Sequence, residues 1–129
     1  PAHRIDPKTV PSCTYCQPQV ASIGWTEAAA LEQGWKLRIG RFPFTASGKA
    51  TASGEREGFV KLIFEEKYGE FLGAHIVGPE ATELLGELCL AQTHGSIPES
   101  IGNTIHAHPT LSEAVMQAAL DALGRAIEK

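Results

Sequence analysis

Apolar and polar residues follow one another along this chain in two rhythms, and each predicts its own kind of element. From Phe59 to Glu66 and from Glu70 to Val77, aromatic and β-branched residues flank Lys67-Tyr68-Gly69, which predicts a β-hairpin. Beyond Gly78-Pro79, Ala81, Leu84, Leu85, Leu88 and Ala91 recur with the three- and four-residue spacing of one buried helix face, so a helix of about four turns is expected. Ser12 to Cys16 and Gln19 to Trp25 read as short strands. Thr26 is placed to cap a two-turn helix over Glu27–Gln33, with an acid in the first turn and Gly34 at the stop. Trp35 to Phe44 sets Leu37, Ile39 and Phe42 against Lys36, Arg38 and Arg41, the pattern of a half-buried strand ending at Pro43. The small, glycine-rich stretch from Ala46 to Gly58 predicts a loop.

Two further helices are expected near the C-terminus. Ile97 and Ile101 bracket Pro98 in a short one ending at Gly102, and the last runs from about Leu111 to Ile127. On that last helix Gln117, Asp121, Arg125 and Glu128 make one narrow polar stripe; Val115, Met116, Ala118, Ala119, Leu120, Ala122, Leu123 and Ala126 cover the rest. So broad an apolar circumference requires packing on more than one side. The helix is therefore central to the fold or laid against another subunit, and its chain-terminal position favours the second. The order of elements predicts an α+β domain, an antiparallel sheet with helices packed mainly on one face. Residues 1–10, polar and carrying Pro1 and Pro7, read as a linker or arm, and 11–129 as one domain. A start at Pro1 without Met is expected of a piece of a longer polypeptide.

Composition narrows the classes. The 129 residues, 43% hydrophobic and 20% charged, fit a globular domain with an ordinary core. A net charge of -4 with no block of Lys or Arg argues against a nucleic-acid or anionic-membrane partner. The apolar run near Leu84 is broken by Gly86 and Glu87, far short of the roughly 18 residues that a membrane helix needs. Three cysteines, an odd number, do not make a disulfide framework and fit a reducing compartment. Cys13 and Cys16 have the C-x-x-C spacing of a redox pair or half a zinc site, but they lie between Pro11 and Pro18 with no helix following. They read as ordinary strand residues, and Cys89 as a buried thiol in a helix.

The chemistry concentrates in His106-Ala107-His108-Pro109-Thr110-Leu111-Ser112-Glu113. Histidine titrates near neutral pH, at about 6.5 when unperturbed, and a carboxylate on one ring nitrogen leaves the other free to take a proton. Pro109 holds His108 extended and can open a helix, so Glu113 in the first turn can reach back to it. Two other readings stand beside this one. Thr110 and Glu113 match the capping-box spacing, in which the acid merely serves helix N–H groups. His106 and His108 alternate as metal ligands would on an extended segment, with Cys13 and Cys16 as further donors in a free-standing metal-binding or structural module. No G-x-G-x-x-G fingerprint and no phosphate-cradling loop occurs. A His-Glu base without nucleophile or cofactor has nothing to act on alone.

The residues also resemble a known family. Tyr15 with Pro18, Val20, Ala21, Gly24 and Glu27; Phe42-Pro43-Phe44 with Ala46, Gly48, Lys49 and Ala50; Gly58-Phe59-Val60-Lys61; Leu72-Gly73 with His75-Ile76-Val77-Gly78; and His106 through Glu113 together resemble the C-terminal interface domain of the dihydrolipoamide dehydrogenases, among the flavin-dependent pyridine nucleotide-disulfide oxidoreductases. The resemblance implies His108 as acid-base catalyst, Glu113 as the carboxylate that orients it, a cis His108-Pro109 bond, and His106 and Pro109 near the flavin of a partner subunit. It implies a homodimer with FAD and NAD held by domains absent from this chain, none bound by the fragment itself, and no resident metal. The resemblance further implies a redox disulfide in a C-x-x-x-x-C near the N-terminus of that FAD domain, a spacing absent from this chain, so Cys13 and Cys16 are not that pair. An acyltransferase subunit of a 2-oxo acid dehydrogenase complex is the implied further partner, and the cytoplasm or mitochondrial matrix the implied compartment.

Overall fold

The computed structural model describes residues 1–127. Five strands, β1 (Ser12–Thr14), β2 (Gln19–Gly24), β3 (Leu37–Pro43), β4 (Phe59–Glu65) and β5 (Phe71–Gly78), form one sheet in the order β1-β2-β5-β4-β3, antiparallel at every pairing. The expected hairpin is β4–β5, with a register shift at Ile63/Phe64. Five helices accompany the sheet: α1 (Glu27–Glu32), α2 (Gly48–Ser53), α3 (Ala81–Thr93), α4 (Pro98–Gly102) and α5 (Glu113–Ala122). Because strand side chains alternate, Val60, Leu62 and Phe64 of β4 with Ala74 and Ile76 of β5 line one face, where they meet Leu84, Leu85 and Leu88 of α3 and the apolar side of α5. Truncating a fully buried leucine such as Leu88 would cost about 2–5 kcal/mol. On the other face, among the described residues, Ala30 of α1 packs on Ile63 and Leu72 with Trp25, Trp35, Leu37 and Ile39 around them. The architecture is the α+β arrangement expected, with helices mainly on one face. None of the described helices is long and apolar enough to cross a membrane.

Two expectations are corrected. The stretch from Ala46 to Gly58 is not all loop: Ser47 accepts the Ala50 N–H at 3.2 Å and starts α2, which ends at Gly54 in the left-handed region with φ 79°. Its Ala, Thr and Ser residues carry no apolar periodicity, and only Ala50 is buried, so the pattern held no helical signal. The last helix is shorter than 111–127. Leu111 and Ser112 form a tight turn ahead of it, and Gly124, at φ 69°, ends it as Arg125 donates back to the Leu120 carbonyl at 2.8 Å. Glu128 of the polar stripe lies outside the described residues.

The breadth of the apolar circumference of α5 is met largely within the chain itself, which makes the helix central to the fold, the first of the two expectations. Ala114, Val115, Ala118, Ala119 and Ala122 are buried, and the helix packs on β3, β4 and α4. Its small side chains are what allow this. At Gly40 of β3 an added Cβ would lie 1.8 Å from the Ala118 carbonyl oxygen, so strand and helix backbones approach as closely as glycine permits. On the opposite side Gly102 of α4 faces Leu120. Near the N-terminus the 3-10 turn Pro7–Thr9 is fastened down: Gln92 donates to the Lys8 carbonyl at 3.0 Å, and the Lys8 ammonium sits 4.0 Å over the Trp25 ring.

Candidate acid-base site

Between α4 and α5 the chain runs without regular structure, and the His108-Pro109 peptide bond within it is cis, as the resemblance implies. His108 projects from this segment with its side chain 79% exposed. Glu113, at the start of α5, meets it: Oε1 lies 2.9 Å from His108 Nδ1. The other carboxylate oxygen, Oε2, accepts the Thr110 N–H at 3.0 Å. The Thr110 hydroxyl does not return that bond but donates to the Ala107 carbonyl at 2.6 Å. The Glu113 carboxylate thus holds the Thr110 N–H, as the acid of a capping box would, and the imidazole at once, although α5 itself begins only at Glu113 with Ser112 at its N-cap. In the tautomer that donates Nδ1–H to the carboxylate, the other nitrogen of this exposed ring is left able to accept a proton.

The electrostatics of Glu113 suit that task. Partial burial opposes its ionisation, but the Thr110 N–H, the hydrogen bond and charge of His108, and the charge of His106 outweigh it and hold the carboxyl below its ordinary range. It stays an acceptor. Beside the pair lies a small cleft lined by Phe42, Ser47, Gly48, His108, Glu113, Ala114 and Gln117. Gln117, 8% exposed, stands one helical turn beyond Glu113 and accepts the Ile127 N–H at 3.3 Å. That spacing was the sequence signal for a shared face, and it went unread behind the polar-stripe pattern.

The remaining candidates sort themselves by geometry. Pro109 is exposed next to His108. His106 turns inward, its side chain 7% exposed, with Nε2 2.5 Å from Glu87 Oε1 and Nδ1 2.8 Å from the Thr104 carbonyl. Glu87 had read only as a break in an apolar run. Cys16 donates to the Pro18 carbonyl at 3.0 Å, and Cys13 and Cys89 are half-buried beside the core. Among the described residues no three His, Cys, Asp or Glu side chains gather as a metal site would require, so the donor set Cys13, Cys16, His106 and His108 is not assembled. His75 is bonded to the Trp25 carbonyl at 3.0 Å and stands apart from this site.

Comparison with known proteins shows the family of the chain. Residues 10–119 match the model of the pyridine nucleotide-disulphide oxidoreductase dimerisation domain. The chain is 52% identical over 125 residues to the dihydrolipoyl dehydrogenase of Rhizobium etli, spanning 97% of this chain and 26% of that protein. It is 54% identical over 114 residues to the dihydrolipoyl dehydrogenase of Chlorobaculum tepidum, 88% of this chain and 24% of that one. Among solved structures, LpdA from Mycobacterium tuberculosis superposes with a TM-score of 0.85 at 24% identity, over 92% of this chain and 26% of that one. The chain therefore spans about a quarter of the length of these relatives. With the family model covering most of its length and half its residues shared with such relatives, the chain belongs to the dimerisation-domain family of the pyridine nucleotide-disulphide oxidoreductases.

Proposed function

We propose that this domain serves a dihydrolipoyl dehydrogenase, lending His108 and Glu113 as the acid-base pair of an active site completed by the partner subunit of a homodimer. The observation that carries the reading is the 2.9 Å contact between His108 Nδ1 and Glu113 Oε1, with the ring itself exposed. A pair so placed takes a proton from a group brought to it from outside the domain. The relatives, dihydrolipoyl dehydrogenases at 52% and 54% identity, support dihydrolipoamide as the substrate class. His108 Nε2 would take the proton of one dihydrolipoyl thiol, and the thiolate so made is the form able to attack a disulfide. Glu113 would keep the ring in the tautomer that can accept.

The residues present do not fit a dinucleotide site of their own. No glycine-rich strand-to-helix turn occurs, and the cleft beside His108 is too small for a flavin. FAD and NAD would be held by polypeptide outside these 129 residues, and what this chain supplies is the proton transfer. His106, with both ring nitrogens engaged inside the domain, could approach a partner's flavin only by packing.

The test is His108→Gln in the full-length protein. Dihydrolipoamide oxidation should fall by about 10²- to 10⁴-fold, the usual worth of a positioned base, while flavin content is kept. Near-normal turnover would remove His108 from the role.

A further inference from the structure

Two side chains tie the segment from Asn103 to Pro109 to helices of the domain: His108 to Glu113 at the near end of α5, and His106 to Glu87 on the more distant α3. Every residue in it is exposed except His106, and Ile105 is 96% exposed. Its other hydrogen bonds are local: Asn103 N–H to the Glu99 carbonyl at 2.9 Å, the Thr104 hydroxyl to the Ser100 carbonyl at 2.6 Å, and the Thr110 hydroxyl to the Ala107 carbonyl. Among the described residues, the bond between His106 Nε2 and Glu87 Oε1 is the segment's one hydrogen bond to an element distant in sequence. Glu87 lies on α3, whose apolar face is locked into the core through Leu84, Leu85 and Leu88. At 2.5 Å the contact is short, and it is buried on the His106 side while the Glu87 side chain stays one-third exposed; a hydrogen bond to a carboxylate is stronger there than on an open surface.

Resting on the reading of His108 as the base, we infer that Glu87 and His106 are positioning residues for it: the Glu87 carboxylate grips the buried His106 ring and so fixes the exposed segment from which His108 projects. Glu113 alone cannot do this. It holds the ring of His108 by Nδ1 and the backbone at Thr110, but both lie within five residues of itself, so it orients the imidazole relative to α5 and leaves the approach from α4 free. The two carboxylates fix the segment from opposite ends, one from α3 and one from α5. Neither Glu87 nor His106 touches the reacting atoms.

The experiment is made in the full-length protein with Glu87→Ala, Glu87→Gln, His106→Gln, the Glu87→Ala/His106→Gln double variant and His108→Gln side by side. Two activities are read: dihydrolipoamide oxidation, which needs the base, and NADH oxidation by a small dye, which needs the flavin without it. Glu87→Ala should lower kcat for dihydrolipoamide about 10- to 100-fold, the cost of misplacing a catalytic group by an ångström, with flavin content, KM for NAD and the dye activity unchanged. Glu87→Gln keeps the Oε1 acceptor and should recover most of that loss, and the double variant should be no worse than either single one. Should Glu87→Ala not fold, Glu87→Asp, whose carboxylate is drawn back by one methylene, should give a smaller loss split the same way. Unchanged dihydrolipoamide kcat in Glu87→Ala, or Glu87→Asp where that stands in for it, while His108→Gln is inactive, overturns the positioning role alone. A parallel fall of both activities also overturns it, since that marks a merely structural strut. If His108→Gln itself stays active, the base assignment fails and the positioning role fails with it.

Discussion

His106 and His108 stand two residues apart, each bonded to a glutamate, and the chain puts them in opposite surroundings. His108 is 79% exposed and gives one nitrogen to Glu113; His106 is 7% exposed and has an acceptor at each nitrogen. The same chemical pair therefore has two capacities. Exposure leaves the second nitrogen of His108 open to an incoming group, whereas burial with an acceptor against each nitrogen leaves the His106 ring placed to hold. What separates them is the partner helix: α5 presents its carboxylate at its first residue, at the rim, while α3 presents Glu87 from within its length, beside the core.

That comparison can be broken from the side of α5 without touching α3. Gly40→Ala forces a Cβ onto the Ala118 carbonyl, and nothing flexible stands there to yield. It should destabilise the domain by about 1–3 kcal/mol in urea unfolding, more than the other substitutions here. It should also disturb the imidazole resonances of His108 and leave those of His106 in place; equal disturbance of both would mean that the two pairs are not independently held. Glu113→Ala comes next. Losing the Thr110 bond should cost about 1 kcal/mol in thermal or urea unfolding. Dihydrolipoamide turnover in the full-length protein should fall, though less than in His108→Gln, and an effect confined to stability would leave Glu113 as a cap alone.

The smallest effect is on pH dependence. The fold holds the Glu113 carboxyl below its ordinary range, so its contribution to stability is complete above the unfolded value of about 4.3 and is lost as pH falls through the lower folded one. Acid unfolding should show this slope only below about pH 4, and Glu113→Gln should flatten it. A slope unchanged by that substitution would assign the acid sensitivity elsewhere. Glu27, held low chiefly by its hydrogen bond to Lys61, is the group to compare.

What the sequence alone discloses follows from how far apart interacting residues lie along it. The hairpin β4–β5 and the buried face of α3 are written in local periodicity, and so is the reach from Glu113 back to His108, five residues away. The helix α2 was hidden because alanine, threonine and serine carry no apolar rhythm, although Ser47 and Gly54 mark its ends. The stop at Gly124 was masked by apolar residues continuing past it. Glu87 had no local signal at all. Its partner is 19 residues away across a turn and a helix, a distance that only tertiary structure closes.

The strand order has a consequence for how the domain is made. The central strand β5 pairs with both β2 and β4, yet it is the last of the five in the chain. As the polypeptide leaves the ribosome, β1–β2 and β3–β4 can exist only as two separate ribbons, each with bare edges, until β5 arrives and zips them into one sheet. Synthesis of the strand that follows Tyr68 is therefore the moment at which this domain passes from two sticky fragments to a single sheet, whose apolar face stays open until α3 and α5 follow.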